Sequence, residues 1–188
     1  MEITMNKFVT AAVISATTVL GACESAEVKA ERLAAEQAAL SVCPAEQQVG
    51  LDAYTLDLPE LEGSAEAFHS ALAAREGVMT TPSGLQYSVV KSGNVKGPMP
   101  APENVVRVHY HGVFPNGQKF DSSYDREEPT EFPLNRVISG WTEGVGLMKP
   151  CDAWTFYIPS DLAYGPQGRP GIPGGASLVF HVQLLEVK

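Results

Sequence analysis

The chain has 188 residues, of which 44% are hydrophobic and 19% charged, and its formal net charge is −9. This length suits one domain with an extension, and the composition is ordinary for a globular protein. The acidity is uneven, because residues 24–80 hold 11 acids and 3 bases whereas residues 81–188 hold 10 acids and 9 bases. The sequence offers no basic face that would neutralise phosphates, which argues against nucleic acid as a partner.

Residues 1–22 are interpreted as a targeting segment. Lys7 precedes an apolar run over residues 8–20, which is too short to span a bilayer as a stable helix. The run ends in Leu20-Gly21-Ala22-Cys23, which resembles a bacterial lipobox and implies a mature protein that begins at Cys23 and is held on a membrane by acyl chains. Glu24 then favours the outer membrane, facing the periplasm. The alternative is an ordinary secretory signal with an incidental cysteine.

Residues 23–79 are predicted to form an acidic, partly helical arm. Residues 24–41 are rich in Ala and Glu, lack Gly and Pro, and carry a thin apolar stripe at helical spacing, which indicates a marginal helix. Residues 43–63 contain Pro and Gly and are typical of a linker. Ser64 is a suitable N-cap for a second short helix with an apolar face.

From residue 80 to residue 188 the sequence predicts an α+β domain. After a turn at residues 81–84, apolar and polar residues alternate in several segments, which is the pattern of half-buried strands. Asn116-Gly117 is a strong hairpin signal between two of these segments, and residues 139–147 form a short helical stretch. Together these elements predict an antiparallel, five-stranded half-barrel sheet that is wrapped around one short helix.

Five short phrases in the second half of the chain each contain an aromatic residue and follow one another in a fixed order. They are VHYHG with Tyr110, NGQKFDSS with Phe120 and Asp121, VISGWTEGV with Trp141, DLAYGPQGRPGIP with Tyr164, and SLVFHVQLLEV with Phe180. In this order they resemble the FKBP-type peptidyl-prolyl cis-trans isomerases, in a bacterial lipoprotein form related to the macrophage infectivity potentiators. The resemblance covers residues 80–188 and implies the same α+β fold.

This resemblance implies catalysis without a metal, a cofactor or a covalent nucleophile. Rotation about an X-Pro bond crosses a barrier of about 18–20 kcal/mol that is set by amide resonance. The twisted transition state is less dipolar than the planar amide, so a dry, apolar pocket favours it. The implied partners are proline-containing segments of exported proteins, whose folding in the cell envelope the enzyme would assist.

The resemblance also assigns roles to individual residues. Trp141 is the floor of the proline pocket, Tyr164 donates its hydroxyl to a substrate carbonyl, and Asp121 acts as an orienting carboxylate. The predicted substrate-binding residues are these three catalytic candidates together with Tyr110, Phe120, Val137, Ile138, Ile172 and Phe180. From periodicity alone, the same residues are more typical of core positions, a structural loop tyrosine and a turn cap.

Three positions depart from the family pattern. Thr130 stands where many members carry a phenylalanine at the pocket rim, Asn135-Arg136 replaces a longer bulge, and Arg169 replaces a histidine. Shortened forms resembling this one occur among bacterial members, so activity is still expected. The departures bear on the affinity for macrolide inhibitors and on the residue that is preferred before proline.

Lipidation of Cys23 would leave Cys43 and Cys151 as an even pair in an oxidising compartment. A disulfide between them would tie the arm to the domain. Two unrelated thiols, or Cys43 paired with its copy in a dimer, are the alternatives. Because the arm is shorter than the dimerisation arms of the infectivity potentiators, the sequence leaves dimerisation open.

No metal site is predicted, because His109 and His111 lack a third ligand at a suitable spacing. Two other functions compete with isomerisation. One is a binding module that binds proline-containing segments with little turnover. The other is a structural lipoprotein or adhesin that has the same fold without the activity.

Overall fold

The computed structural model describes residues 25–55, 58–59 and 64–188. The predicted targeting segment and Cys23 therefore lie outside the described residues. Three α-helices and seven strands make up the regular structure of the described part. In chain order they are α1 (Ala26–Leu40), α2 (Ala65–Ala73), β1 (Val78–Thr80), β2 (Gln86–Lys91), β3 (Val105–Val113), β4 (Lys119–Ser122), β5 (Thr130–Pro133), α3 (Ser139–Gly146), β6 (Ala153–Ile158) and β7 (Leu178–Val187).

All seven strands belong to one antiparallel sheet with the order β1-β2-β6-β7-β3-β4. The first half of β3 pairs with β5 and its second half with β4. The predicted α+β class, with an open antiparallel sheet and a short helix, is confirmed. The sheet has seven strands rather than the five expected, and β1, with only three residues, holds too few alternations to be recognised.

Helix α3 packs into the main core between the sheet and the segments around it. Trp141 and Val145 of α3 are buried there with Phe156 of β6 and Val182 of β7. The close approach of helix and sheet depends on Gly144, because a Cβ at that position would lie only 2.6 Å from the Phe156 ring. The sheet therefore wraps one short helix, as the sequence predicts.

Helix α2 packs on the opposite face of the sheet. Ser64 caps it, accepting a hydrogen bond from the backbone N–H of Ala67 at 3.3 Å. Phe68 and Leu72 are buried against one residue from each of three strands, Val113, Tyr157 and Val179. Successive side chains of a strand point to opposite faces, so these contacts lie on the side away from α3. The predicted second helix is confirmed.

His69 of α2 ties the helix to the sheet through polar side chains. Its two ring nitrogens lie 2.7 Å from Gln86 Oε1 and 3.0 Å from Ser177 Oγ. The side-chain amide of Gln86 in turn donates to the His69 carbonyl at 2.8 Å. Gln86 and Ser177 are both buried, so these bonds satisfy groups that would otherwise be costly to bury.

The segment that the sequence predicts to be a linker instead packs along the sheet. The backbone N–H of Cys43 donates to the Leu185 carbonyl at 2.6 Å, and Cys43 and Cys151 are joined by a disulfide. The ring of Tyr54 is buried with its centroid 4.7 Å from that of His181. A row of backbone and aromatic contacts thus holds residues 41–54 on the same outer face that α2 covers.

Helix α1 contributes little to this packing. Ser25 caps it, but none of its residues is buried, which agrees with the thin apolar stripe in the sequence. Of the helices in the described part of the chain, none has the length and apolar character needed to cross a membrane.

Candidate functional site

A cavity of about 610 Å³ opens between the start of α3, the inner face of the sheet and the loop after β6. Residues from every one of these elements contribute side chains to its wall. The lining residues are Tyr110, Phe120, Asp121, Phe132, Arg136, Val137, Ile138, Ser139, Trp141, Ala163, Tyr164, Arg169 and Phe180.

Eight of the nine predicted substrate-binding residues line this one cavity. The ninth, Ile172, is not among the lining residues and is buried in the same core cluster as Trp141 and Phe180. Its backbone forms a short bridge with Arg169, so Ile172 anchors the loop that carries Tyr164. The structure therefore brings together residues that are up to 70 positions apart in the sequence, from Tyr110 to Phe180.

Trp141 lines the cavity and is buried among three other aromatic rings. Three rings meet it at nearly right angles: Phe180 at 5.2 Å, Tyr110 at 5.6 Å and Phe132 at 5.6 Å between centroids. Edge-to-face pairs of this kind are a preferred aromatic geometry. The indole is buried, and its Nε1 has no hydrogen-bond partner among the described residues. The indole is thus enclosed by aromatic side chains within the cavity lining.

The walls depend on a glycine in β3. Gly112 pairs with Asp121 of β4 on one side and with Phe180 of β7 on the other. A Cβ at Gly112 would lie 2.7 Å from the Phe120 ring and 2.8 Å from the Phe180 ring. The absence of a side chain here lets these two rings meet edge to face, 5.4 Å apart.

A polar network of three residues includes two that line the cavity, Tyr110 and Asp121. The Tyr110 hydroxyl donates to Asp121 Oδ2 at 2.7 Å, and Arg126 donates to both Asp121 Oδ1 at 2.9 Å and the Tyr110 hydroxyl oxygen at 2.8 Å. Burial alone would raise the pKa of Asp121, but the hydrogen bonds from Tyr110 and Arg126 outweigh it and leave that pKa below its usual value. Asp121 is therefore a carboxylate at neutral pH, held in a fixed orientation.

Another part of the cavity lining combines the start of α3 with the loop after β6. Ile138 is the N-cap residue of α3 and provides no side-chain cap. The Trp141 N–H donates to the Ile138 carbonyl at 2.9 Å, so the N–H groups of Ser139 and Gly140 are the ones in the first turn without a partner among the described residues. Tyr164 is half-buried, and its hydroxyl has no partner among the described residues. The Arg169 guanidinium lies 4.7 Å from the centre of the Tyr164 ring, which is cation–π distance.

Sequence reasoning missed several residues of this site. Phe132 and Leu134 are apolar residues two positions apart, which is the spacing of one face of a strand, but this spacing does not distinguish a cavity wall from the core. Arg126 has no such signal, because it lies in a short turn and reaches Asp121 only once that turn is folded. The side chains of Ser139 and Ala163 complete the lining.

The two histidines considered as metal ligands have other neighbours. His109 lies 2.9 Å from Ser123 Oγ and His111 lies 3.1 Å from Ser122 Oγ. Within the described part of the chain, no three His, Cys, Asp or Glu side chains are grouped so that they could hold a metal ion.

Comparisons with known families identify this architecture. The family described as "FKBP-type peptidyl-prolyl cis-trans isomerase" matches residues 97–185, and the one described as "Domain amino terminal to FKBP-type peptidyl-prolyl isomerase" matches residues 10–89. The crystal structure of FkpA from Escherichia coli aligns with a TM-score of 0.63 and 37% identity, over 87% of this chain and 67% of that one. The chain belongs to the FKBP-type peptidyl-prolyl cis-trans isomerase family.

Other relatives agree with this family assignment. A peptidyl-prolyl cis-trans isomerase from Pseudomonas syringae pv. tomato aligns with a TM-score of 0.61 and 35% identity, over 65% of this chain and 90% of that one. The FKBP-type isomerase FkpA of Aeromonas hydrophila is 49% identical over 132 residues, which are 70% of this chain and 48% of the relative. The isomerase Mip of Coxiella burnetii is 46% identical over 123 residues, 65% of this chain and 53% of the relative. The chain thus spans about half the length of these two curated relatives.

Proposed function

We propose that the chain is an active peptidyl-prolyl cis-trans isomerase whose substrate proline sits on Trp141. The observation that carries this proposal is the open cavity in which a flat, buried indole packs against three rings that stand nearly perpendicular to it. Such a floor accepts the apolar proline ring and excludes water from it. Because the planar amide is more dipolar than the twisted one, this dry environment favours the transition state over the ground state.

The polar groups of the cavity would hold the peptide on either side of the rotating bond. The unpartnered hydroxyl of Tyr164 is placed to donate to a substrate carbonyl, and the free backbone N–H groups near Ile138 offer a second donor. Asp121 would act as a fixed charge that orients the substrate, since amide rotation transfers no proton. Val137 supplies apolar contact between these donors.

We extend this proposal to the setting of the enzyme. Lipidation of Cys23 would hold the protein at the bacterial outer membrane, where it would assist the folding of exported proteins in the periplasm. The lipobox-like sequence before Cys23, the disulfide between Cys43 and Cys151 and the match to an N-terminal isomerase-associated domain over residues 10–89 support an envelope protein. Macrolide inhibitors would compete for the same aromatic cavity.

The decisive experiment is catalysis of X-Pro isomerisation in short peptides by residues 24–188, with and without tacrolimus. Trp141→Leu removes the floor and is expected to lower kcat/KM at least ten-fold. Trp154→Leu is the matched control, because Trp154 is also a buried tryptophan but stacks on Tyr87 away from the cavity. A well-folded sample without catalysis would overturn the enzyme proposal and leave a module that binds proline-containing segments.

Lipidation is tested separately on the full chain produced in a bacterial host. Labelled palmitate is expected to enter the protein and to be absent from a Cys23→Ser variant. An unlabelled protein released freely into the periplasm would contradict the anchor without touching the isomerase proposal.

A further inference from the structure

Two arginines on the cavity rim have no acidic partner. Arg136 and Arg169 both line the cavity and are exposed, and neither forms an ion pair with any residue that the structure describes. The single carboxylate in the lining, Asp121, is already bound to Arg126. The cavity mouth is therefore cationic in a chain whose net charge is −9.

The positions of the two guanidinium groups are set by their surroundings. Arg169 is held over the Tyr164 ring, next to the hydroxyl proposed to receive a substrate carbonyl. Arg136 ends a short turn, Leu134–Arg136, immediately before Val137 and the first turn of α3. Each cation thus neighbours a group that is proposed to bind the peptide, and the positive end of the α3 dipole adds a partial charge of the same sign.

We propose that the substrates of this enzyme are proline-containing segments with an acidic residue next to the proline. This inference rests on the proposed function and specifies its substrate class. A Glu or Asp side chain beside the proline would meet Arg136 or Arg169 at the rim, where neither partner has to be fully desolvated. A Lys at that position would meet like charge, which is repulsive.

The expected effect is moderate because both arginines are exposed. Exposed ion pairs contribute little individually, and for each arginine we expect a gain of about two- to five-fold in kcat/KM for an acidic peptide. Salt must weaken this gain, because interactions between exposed charges are screened with a Debye length of about 3 Å at 1 M ionic strength.

The test measures kcat/KM for three peptides that differ only in having Glu, Gln or Lys before proline, together with the same set placed after proline. The protein is residues 24–188, compared with Arg136→Gln/Arg169→Gln. The control is Lys29→Gln/Lys96→Gln, which removes the same charge from positions that do not line the cavity. Using the ratio of Glu to Gln peptides cancels any general loss of activity in the arginine variant.

The result expected is a Glu-to-Gln ratio of several-fold in the wild type and the control, in at least one of the two peptide positions, with Lys disfavoured. The ratio should fall to about one in the arginine variant and in 1 M NaCl. A wild-type ratio of one or less, or a ratio that survives both arginine substitutions, overturns the proposal. Should no peptide be turned over, the proposed function fails. Titration of the same peptides, followed by the tryptophan fluorescence of the protein, then decides the acidic preference by the ratio of the Glu and Gln affinities.

Discussion

Removing the disulfide between Cys43 and Cys151 should lower the free energy of unfolding by about 5 kcal/mol. The bridge joins residues 108 positions apart, and in the chain-entropy model a loop of that length contributes roughly this amount by restricting the unfolded chain. The double variant Cys43→Ala/Cys151→Ala suits the test because both cysteines are buried and alanine keeps the sites apolar. Cys151 has a φ of +73°, and alanine tolerates that conformation no better than cysteine, so backbone strain is unchanged.

The assay is guanidinium unfolding followed by tryptophan fluorescence, on the oxidised wild type and on the double variant. Reduced wild type is the control without substitution, and it should match the variant. The slope of the free energy against denaturant should also rise when the bridge is lost, because an uncrosslinked unfolded chain exposes more surface.

A loss of less than about 1.5 kcal/mol would refute the reasoning, since it would mean that the bridge hardly restricts the unfolded chain. Hydrogen exchange separates this global effect from release of the arm. The Cys43 N–H bond to Leu185 does not require the disulfide, so we expect the Cys43 amide to stay protected in the variant under native conditions.

Three further perturbations follow from buried contacts. Burial lowers the pKa of His181 to about 4, below the value of about 6.5 in an unfolded chain. Stability is therefore full above pH 6.5 and decreases as the pH falls, by about 2.5 kcal/mol at pH 4.5, and His181→Gln should remove this part of the pH dependence in urea titrations. Gly112→Ala would displace the rings of Phe120 and Phe180 and should lower kcat/KM at least ten-fold. Gly146→Ala is the control and should leave kcat/KM unchanged, because its Cβ would meet nothing closer than 3.7 Å. Equal activity of the two variants would contradict the cavity geometry. His69→Ala leaves two buried polar partners unsatisfied and should cost about 2 kcal/mol of unfolding free energy, and a change below 0.5 kcal/mol by denaturant titration would speak against the bridging role of the histidine.

The elements that the sequence predicts well are those whose signal is local. The alternation along β6 and β7, the Asn116-Gly117 turn and the cap at Ser64 all act within a few residues, and each appears in the structure. The three-residue strand β1 and the docking of residues 41–54 were missed. Both depend on partners far along the chain, such as Leu185 for Cys43, which no local pattern reveals.

The residues of the candidate site likewise differ in whether the nearby sequence reveals them. Motif resemblance could name Trp141 and Asp121 because their flanking phrases are distinctive. Arg126 and Phe132 could not be assigned, since their roles come from three-dimensional contacts with Asp121 and Trp141. Ile172 stays a prediction: it is buried in the same core cluster as Trp141 and Phe180 but is not among the residues that line the cavity.

Alternate residues of strands β6 and β7 face opposite sides of the sheet, so one set lines the cavity side and the other packs against α2. On β6 and β7, Phe156 and Phe180 face α3 and the cavity side, whereas their neighbours Tyr157 and Val179 face α2. Helix α2 and residues 41–54, in the described part of the arm, therefore pack on the outer face, whereas the cavity opens on the inner one. Loss of the α2 contacts, for example through Phe68→Ala, should destabilise the protein by about 3–5 kcal/mol while leaving kcat/KM of the remaining folded molecules unchanged. A proportional loss of kcat/KM per folded molecule would instead show that the outer layer positions the rings of the cavity through the sheet.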